Sequence, residues 1–316
     1  MSDLDRAVRA VVRDCLAVRE GEGVLVVANP ATQTLGERLR DESQDAGADA
    51  VMTVMSERAQ HGTEPPDAVA AAMLKADVIM VPTVQSLSHT AARRSATDAG
   101  ARAATLPGVT EEMLARVMSA DMDEIRRRGH AVADILTAGT EARITCPNGS
   151  ELVLRLEGRT ATADTGELSE PGAFGNLPCG EGFISPLHDA GGGRLVVDGI
   201  IGSIGIPKPP AVLEIEDGKL VSAAGPDGEE LMEQLTRHGP DASRVAELGV
   251  GTNEKATLSG ELLEDEKILG TIHVAFGASA GIGGTIQVPV HLDCVVMKPD
   301  LAIDGEPLVR AGELLV

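Results

Sequence analysis

Aromatic side chains are nearly missing from this chain: its 316 residues include no Trp, no Tyr and three Phe. Positive charge is also short, with 27 Lys plus Arg against 49 Asp plus Glu for a net charge of −22. A phosphate backbone is repelled by that charge and bases find few rings to stack on, which argues against nucleic acid as a partner. Long apolar runs are lacking too. The longest, such as Gly23–Ala28 and Val78–Val81, fall far short of the roughly 18 residues that span a bilayer. The N-terminus interleaves charges with apolar residues where a signal peptide needs an unbroken apolar stretch. The expectation is a cytoplasmic protein with no membrane contact. Cys15, Cys146, Cys179 and Cys294 lie far apart with no C-x-x-C, which fits reduced, mostly buried thiols better than a disulfide frame or a zinc ribbon.

What is present, 43% apolar and 24% charged residues, is the balance of a globular protein, and the length suggests about two domains. Leu4, Ala7, Val8, Val11, Val12 and Cys15 recur at helical spacing, and Gly23–Ala28 is a short apolar run of buried-strand type. Helical stretches near Thr32–Gln44, Asp67–Lys75 and Thr90–Ala99 then alternate with strands at Asp49–Val54, Asp77–Pro82 and Ala101–Thr105. That alternation predicts a Rossmann-like parallel sheet covered by helices. The turn after the first strand reads Asn29-Pro30-Ala31-Thr32 rather than G-x-G-x-x-G, and no phosphate loop occurs, so nucleotide binding has no support.

Met113–Thr137 reads as helix, ending near Gly139. Beyond it, short β-prone runs are separated by Asn148-Gly149 and Asp217-Gly218 turns, the pattern of antiparallel hairpins. The fold expected is α/β: a Rossmann-like domain over 1–140 and a β-rich α+β metal-binding domain over 141–316.

Of the seven His, His61, His130 and His238 sit among polar neighbours, His89 precedes a helix as a candidate cap, and His188 lies in a loop. The other two lie in apolar strands: His273 in GTIHVAFG and His291, with Asp293, in VPVHLDCVVM. Residues i and i+2 of a strand share a face, so His291 and Asp293 project side by side. An ionised Asp293 among apolar neighbours needs a counter-charge. Glu181, between Gly180 and Gly182, reads as part of a rigid loop, and Glu247 precedes a Gly-rich apolar segment. Glu181, Glu247, His273, His291 and Asp293 together offer carboxylate and imidazole donors without thiolate, a set suited to Zn²⁺, Co²⁺ or Mn²⁺. Three carboxylates with neutral His leave a charge of −3, which favours two divalent ions over one. Convergence of His273, His291 and Asp293 alone would instead make the two-His-one-carboxylate triad of an Fe(II) oxygenase.

Gly277-Ala278-Ser279-Ala280-Gly281 matches G-x-S-x-G, but no His follows Asp293 to complete a hydrolase triad. The glycines from 277 to 284 mark either a flexible loop over the site or a tightly packed segment.

The ordered motifs GNLPCGEGFISP, AELGVGTN, ILGTIHVAFG and VPVHLDCVV resemble the thermophilic metalloaminopeptidase family, and SHTAARRSATDAGARAATLPGVTEEML resembles its α/β domain. The resemblance implies a homodimeric two-metal hydrolase releasing the N-terminal residue of small peptides or related amides. Its ligands would be Glu181, Glu247, His273, His291 and Asp293, with Glu181 or Glu247 as the general base. One departure stands out: the family places a Tyr where this chain has Ala280, removing a group worth about 10²–10³ in rate if it donates to the oxyanion. A catalytically weak metal-binding paralogue is therefore one alternative. The other is an iron-dependent dihydroxypyridine dioxygenase of the same superfamily. Those enzymes are similar in keeping the H-L-D strand, but carry His where Glu247 stands and lack the His of GTIHVAFG.

Overall fold

Ser2 and Asp5 form a reciprocal capping box that starts the first helix, α1 (Asp3–Arg9), which runs on into a π-helical turn (Ala10–Cys15). The computed structural model describes residues 1–316 and gives them a mixed α/β architecture with one parallel and two antiparallel sheets. No helix is long and apolar enough to cross a membrane. The chain divides into two compact units, Met1–Ala120 with Gly166–Cys179, and Asp121–Thr165 with Gly180–Val316.

The first unit alternates β1 (Gly23–Ala28), α2 (Gln33–Asp45), β2 (Asp49–Val54), α3 (Asp67–Met73), β3 (Val78–Val81), α4 (Ala91–Asp98), β4 (Arg102–Thr105) and α5 (Glu111–Val117). α4 is capped by Thr90, whose hydroxyl accepts from the Arg93 N–H, and not by His89, which is exposed. Asn29 takes the place of a glycine turn at the end of β1. Its buried amide donates to Met55 O (3.0 Å) and accepts from Val84 N (2.9 Å), so the crevice beyond β1 and β3 is filled by a side chain.

The division falls after Ala120 and not near residue 140, because the stretch from Met113 to Thr137 is two helices. Asp121 caps α6 (Met122–Ala138), its carboxylate accepting from Asp123 N and Glu124 N, a cap worth roughly 0.5–2 kcal/mol. Val132 and Leu136 of α6 then enter the core of the second unit.

That unit continues with β5 (Glu141–Thr145), β6 (Glu151–Arg155) and β7 (Thr162–Asp164). The chain returns to the first unit for β8 (Phe174–Asn176), which pairs parallel with β4 and completes the sheet β2-β1-β3-β4-β8. It then forms β9 (Glu181–Ile184), β10 (Gly191–Val197), β11 (Ala211–Glu216), β12 (Lys219–Ala224), α7 (Pro226–Thr236), β13 (Val245–Gly251), α8 (Leu262–Asp265) and β14 (Ile272–Gly277). The last strands are β15 (His291–Val296), β16 (Asp300–Ile303), β17 (Glu306–Arg310) and β18 (Glu313–Leu314).

Two antiparallel sheets result, β12-β11-β10-β6-β5-β16-β17-β18 and β15-β14-β13-β9-β7. The expected hairpins form, with Asn148-Gly149 between β5 and β6 and Asp217-Gly218 between β11 and β12. The core of this unit is built from Ala142, Ile144, Leu152, Leu154, Leu195 and Leu213 of the larger sheet together with one face of the smaller.

Candidate metal centre

Alternation along the smaller sheet, interrupted once by a register shift in β13, gives it two unlike faces. Ile184, Leu248, Val250, Ile272, Val274, Phe276, Leu292, Cys294 and Val296 point into the core. The opposite face carries Glu181, Glu247, His273, His291 and Asp293. Each has a small cross-strand neighbour on at least one side: Glu181 faces Gly251, His273 faces Gly249, His291 faces Gly277, and Glu247 and Asp293 flank Ala275. The small residues are a floor from which the functional side chains rise. At Gly249 the need is steric, since a Cβ there would lie 2.0 Å from His273 Nε2.

Glu247 reaches this face through a register shift between Val245 and Glu247. Val245 points into the core, and the extra residue reverses the parity so that Glu247, two positions on, points the other way. Glu181 opens strand β9, where a loop was expected. The ladder to β13 places it opposite Gly251, and the ladder to β7 places it opposite Asp164.

All five residues meet, in two groups that share Glu247: Glu181, Glu247 and His273, and Glu247, His291 and Asp293, each with its ligand atoms within 4.8 Å of one another. Glu247 Oε1 lies 3.4 Å from His273 Nε2, and Oε2 lies 3.3 Å from His291 Nε2. Glu181 Oε2 is 3.2 Å from His273 Nε2, and Asp293 Oδ1 is 3.4 Å from His291 Nε2. The triad His273, His291 and Asp293 does not form a group of its own; Glu247 stands between the two imidazoles. His291 Nδ1 lies 2.7 Å from Ala278 O and donates to it, which leaves Nε2 for a ligand. His273 Nδ1 is buried with no hydrogen-bond partner, and buried Glu181 Oε2 has only the His273 ring nitrogen facing it. Carboxylate and imidazole donors with such an orphaned buried atom suit a hard or borderline divalent cation.

Three further residues, not singled out by the sequence, complete the site. Lys267 is fully buried, with Nζ 2.6 Å from Glu181 Oε1, 2.6 Å from Glu266 Oε1 and 3.8 Å from Asp164 Oδ2. One signal for it was available: Lys is rare here, and this one stands before the apolar Ile268-Leu269. Burial pushes Asp164 up to about 7 and Glu266 up to about 8, more than the Lys267 ammonium can offset. At Glu181, burial pushes the same way but Lys267 and His273 outweigh it, and the carboxyl stays below its ordinary value. Glu247 and Asp293 are also held low against burial, by His273 and His291 for the former and chiefly by His291 for the latter. Both imidazoles are held well above the usual histidine value, because the facing carboxylates outweigh burial.

Of the glycines from 277 to 284, Gly277 and Gly284 pack tightly, whereas a Cβ on Gly281 would meet nothing within 4 Å. A Cβ on Gly277 would lie 2.2 Å from Val290 O, and one on Gly284 would lie 2.1 Å from Ser279 Oγ. Ser279 is buried, its hydroxyl accepting from Ile286 N at 3.2 Å.

The β-rich unit presents imidazole and carboxylate donors from adjacent strands, a cluster able to hold a metal ion in a mixed α/β protein. The family model NicX, 2,5-dihydroxypyridine 5,6-dioxygenase, matches residues 4–316, and the chain belongs to that family. The 2,5-dihydroxypyridine 5,6-dioxygenase of Pseudomonas putida KT2440 is 25% identical over 220 residues, which are 65% of this chain and 62% of that protein. The alignment thus spans less than two thirds of that relative's length. The structure of 2,5-dihydroxypyridine dioxygenase from the same organism superposes with a TM-score of 0.86 at 21% identity, over 100% of this chain and 98% of that one. Wild-type AmpT from Thermus thermophilus superposes with a TM-score of 0.75 at 18% identity, over 99% of each chain.

The resemblance to the metalloaminopeptidases therefore holds for the fold. The expectation of a metal-dependent hydrolase, an aminopeptidase or protease acting on peptides or amides, is overturned by the family match over 4–316. Glu247 and His273, the two positions at which the resemblance sets this chain apart from the dioxygenases, do not decide for hydrolysis. Carboxylate and imidazole donors serve iron as readily as zinc, so the ligand types do not select the reaction. Ala280 supplies no phenol in any case.

Proposed function

We propose that this protein is a mononuclear non-haem iron dioxygenase that opens the ring of a dihydroxylated pyridine or a similar hydroxylated heteroaromatic. The observation that carries the reading is the Glu247, His291 and Asp293 group, one imidazole and two carboxylates on adjacent strands, in a chain of the NicX family. It differs from a two-His-one-carboxylate triad by one carboxylate in place of an imidazole. The Lys267 ammonium, which already answers the charge of Glu181, supports a reading of one iron over two divalent ions. A homodimer in the cytoplasm belongs to the same proposal.

Fe(II), when bound, supplies the one-electron chemistry that lets dioxygen react with an aromatic ring. The chain's own residues prepare the site for it. Ala278 O holds the His291 Nδ1 proton and so keeps Nε2 directed at Glu247 and Asp293. Glu247 Oε2 serves this group while Oε1 faces His273, which lies between Glu247 and Glu181 and can hold a proton at Nε2. The His291 side chain is 19% exposed and marks the open side of the site.

The test is oxygen uptake by protein reconstituted anaerobically with Fe(II), offered 2,5-dihydroxypyridine and its isomers, with ring absorbance followed in parallel. One O2 consumed per ring lost is expected. Iron-loaded protein that consumes no oxygen with any dihydroxylated pyridine would refute the proposal.

A further inference from the structure

Lys267 follows α8 and lies fully buried, with its ammonium against Glu181, Glu266 and Asp164. Its backbone reaches this position by crossing β13 at Gly251, where a Cβ would lie 2.1 Å from Ile268 O. The ammonium takes one oxygen of Glu181, Oε1, at 2.6 Å. The other oxygen, Oε2, faces His273 Nε2 at 3.2 Å. A divalent ion on Oε2 would therefore share a single carboxylate with a fixed positive charge, and in a buried site little water screens that repulsion. Glu247 and Asp293 have no lysine or arginine partner; only imidazoles face them. Their two negative charges match one divalent ion.

Building on the one-iron reading above, we infer that Lys267 is the resident cation of the Glu181 arm, a positioning residue that stands in for a second divalent ion and holds the site to one metal per chain. The ammonium fixes Glu181 through Oε1, and the carboxylate in turn fixes His273. The Glu181, Glu247 and His273 group is thus ordered by an internal charge, while the Glu247, His291 and Asp293 group awaits an external one.

Metal stoichiometry tests this, read by titrating the metal-free full-length protein with Mn²⁺, a probe that needs neither oxygen nor a ring substrate. The wild type is expected to take one ion per chain. Lys267→Met is expected to take two, the second at least about tenfold tighter than any second ion on the wild type. Lys267→Arg keeps the charge and returns the count to one. Should the Met variant not fold, Lys267→Gln replaces it, since the amide retains an N–H donor toward Glu181 without the charge, and two ions are again expected. Two ions on the wild type, or a single ion on a folded neutral variant, would overturn the inference. Counting Mn²⁺ involves no turnover, so a protein that takes one ion yet consumes no oxygen refutes the dioxygenase reading while leaving the role of Lys267 intact.

Discussion

Gly249→Ala probes the floor of the site with one methyl group. The Cβ would lie 2.0 Å from His273 Nε2 and 2.1 Å from Cε1, where ordinary contact begins at 3.4 Å. The imidazole has to turn away from Glu181 and Glu247, and overpacking of this kind costs about 1–3 kcal/mol. Gly249 is not in the left-handed region, so the cost is one of space and not of backbone strain. For a unit of this size each kcal/mol shifts melting by roughly 2–4 °C, so a fall of about 2–12 °C is expected by calorimetry on metal-free protein. Gly251→Ala should be worse, because its Cβ meets the backbone oxygen of Ile268 at 2.1 Å, which cannot rotate aside as a ring can. Gly281→Ala is the control: nothing lies within 4 Å of its Cβ, and the substitution should be neutral or stabilise by up to about 1 kcal/mol. Gly249→Ala melting within about 1 °C of wild type would refute the placement of His273 across the strand from it.

Asp293→Ala removes one of three donors in the group assigned to iron, and should weaken ion binding at least about 100-fold and reduce oxygen uptake to background, as followed by metal titration and an oxygen electrode. Removing the ion with a chelator should lower the melting temperature, because an ion present at about 100 times its Kd contributes about 2.7 kcal/mol to the native state; unchanged melting would mean no ion binds there. In the first unit, burial tends to raise Glu22, but Arg102, 2.6 Å away, and the Arg19 N–H outweigh it, so the carboxyl lies below its ordinary value. A depressed carboxyl stabilises the fold above the unfolded value of about 4.3 and loses that contribution as pH falls through the folded one. Glu22→Gln should therefore melt earlier than wild type at neutral pH, by on the order of 1 kcal/mol given partial exposure, and the gap should close in acid.

The chain's own order made the architecture readable. Alternating helices and apolar runs up to Thr105, and hairpin turns at Asn148-Gly149 and Asp217-Gly218, are local signals, and each became the element it predicted. His291 and Asp293 were legible as neighbours because a strand repeats every two residues. Non-local facts were out of reach. Gly166–Cys179 returns to the first unit to add β8, a pairing between strands some seventy positions apart. Glu247 faces the site only because of the register shift after Val245, and a one-residue slip reverses every side chain beyond it. The count of charges also depended on tertiary contact: the five acidic and imidazole donors could be read along the chain, but Lys267 reaches Glu181 across 86 residues. Residue types and local periods thus determined which side chains were able to bind a metal. Folding alone decided which of them share it, because ion pairing depends on distances in space that separation along the chain does not set.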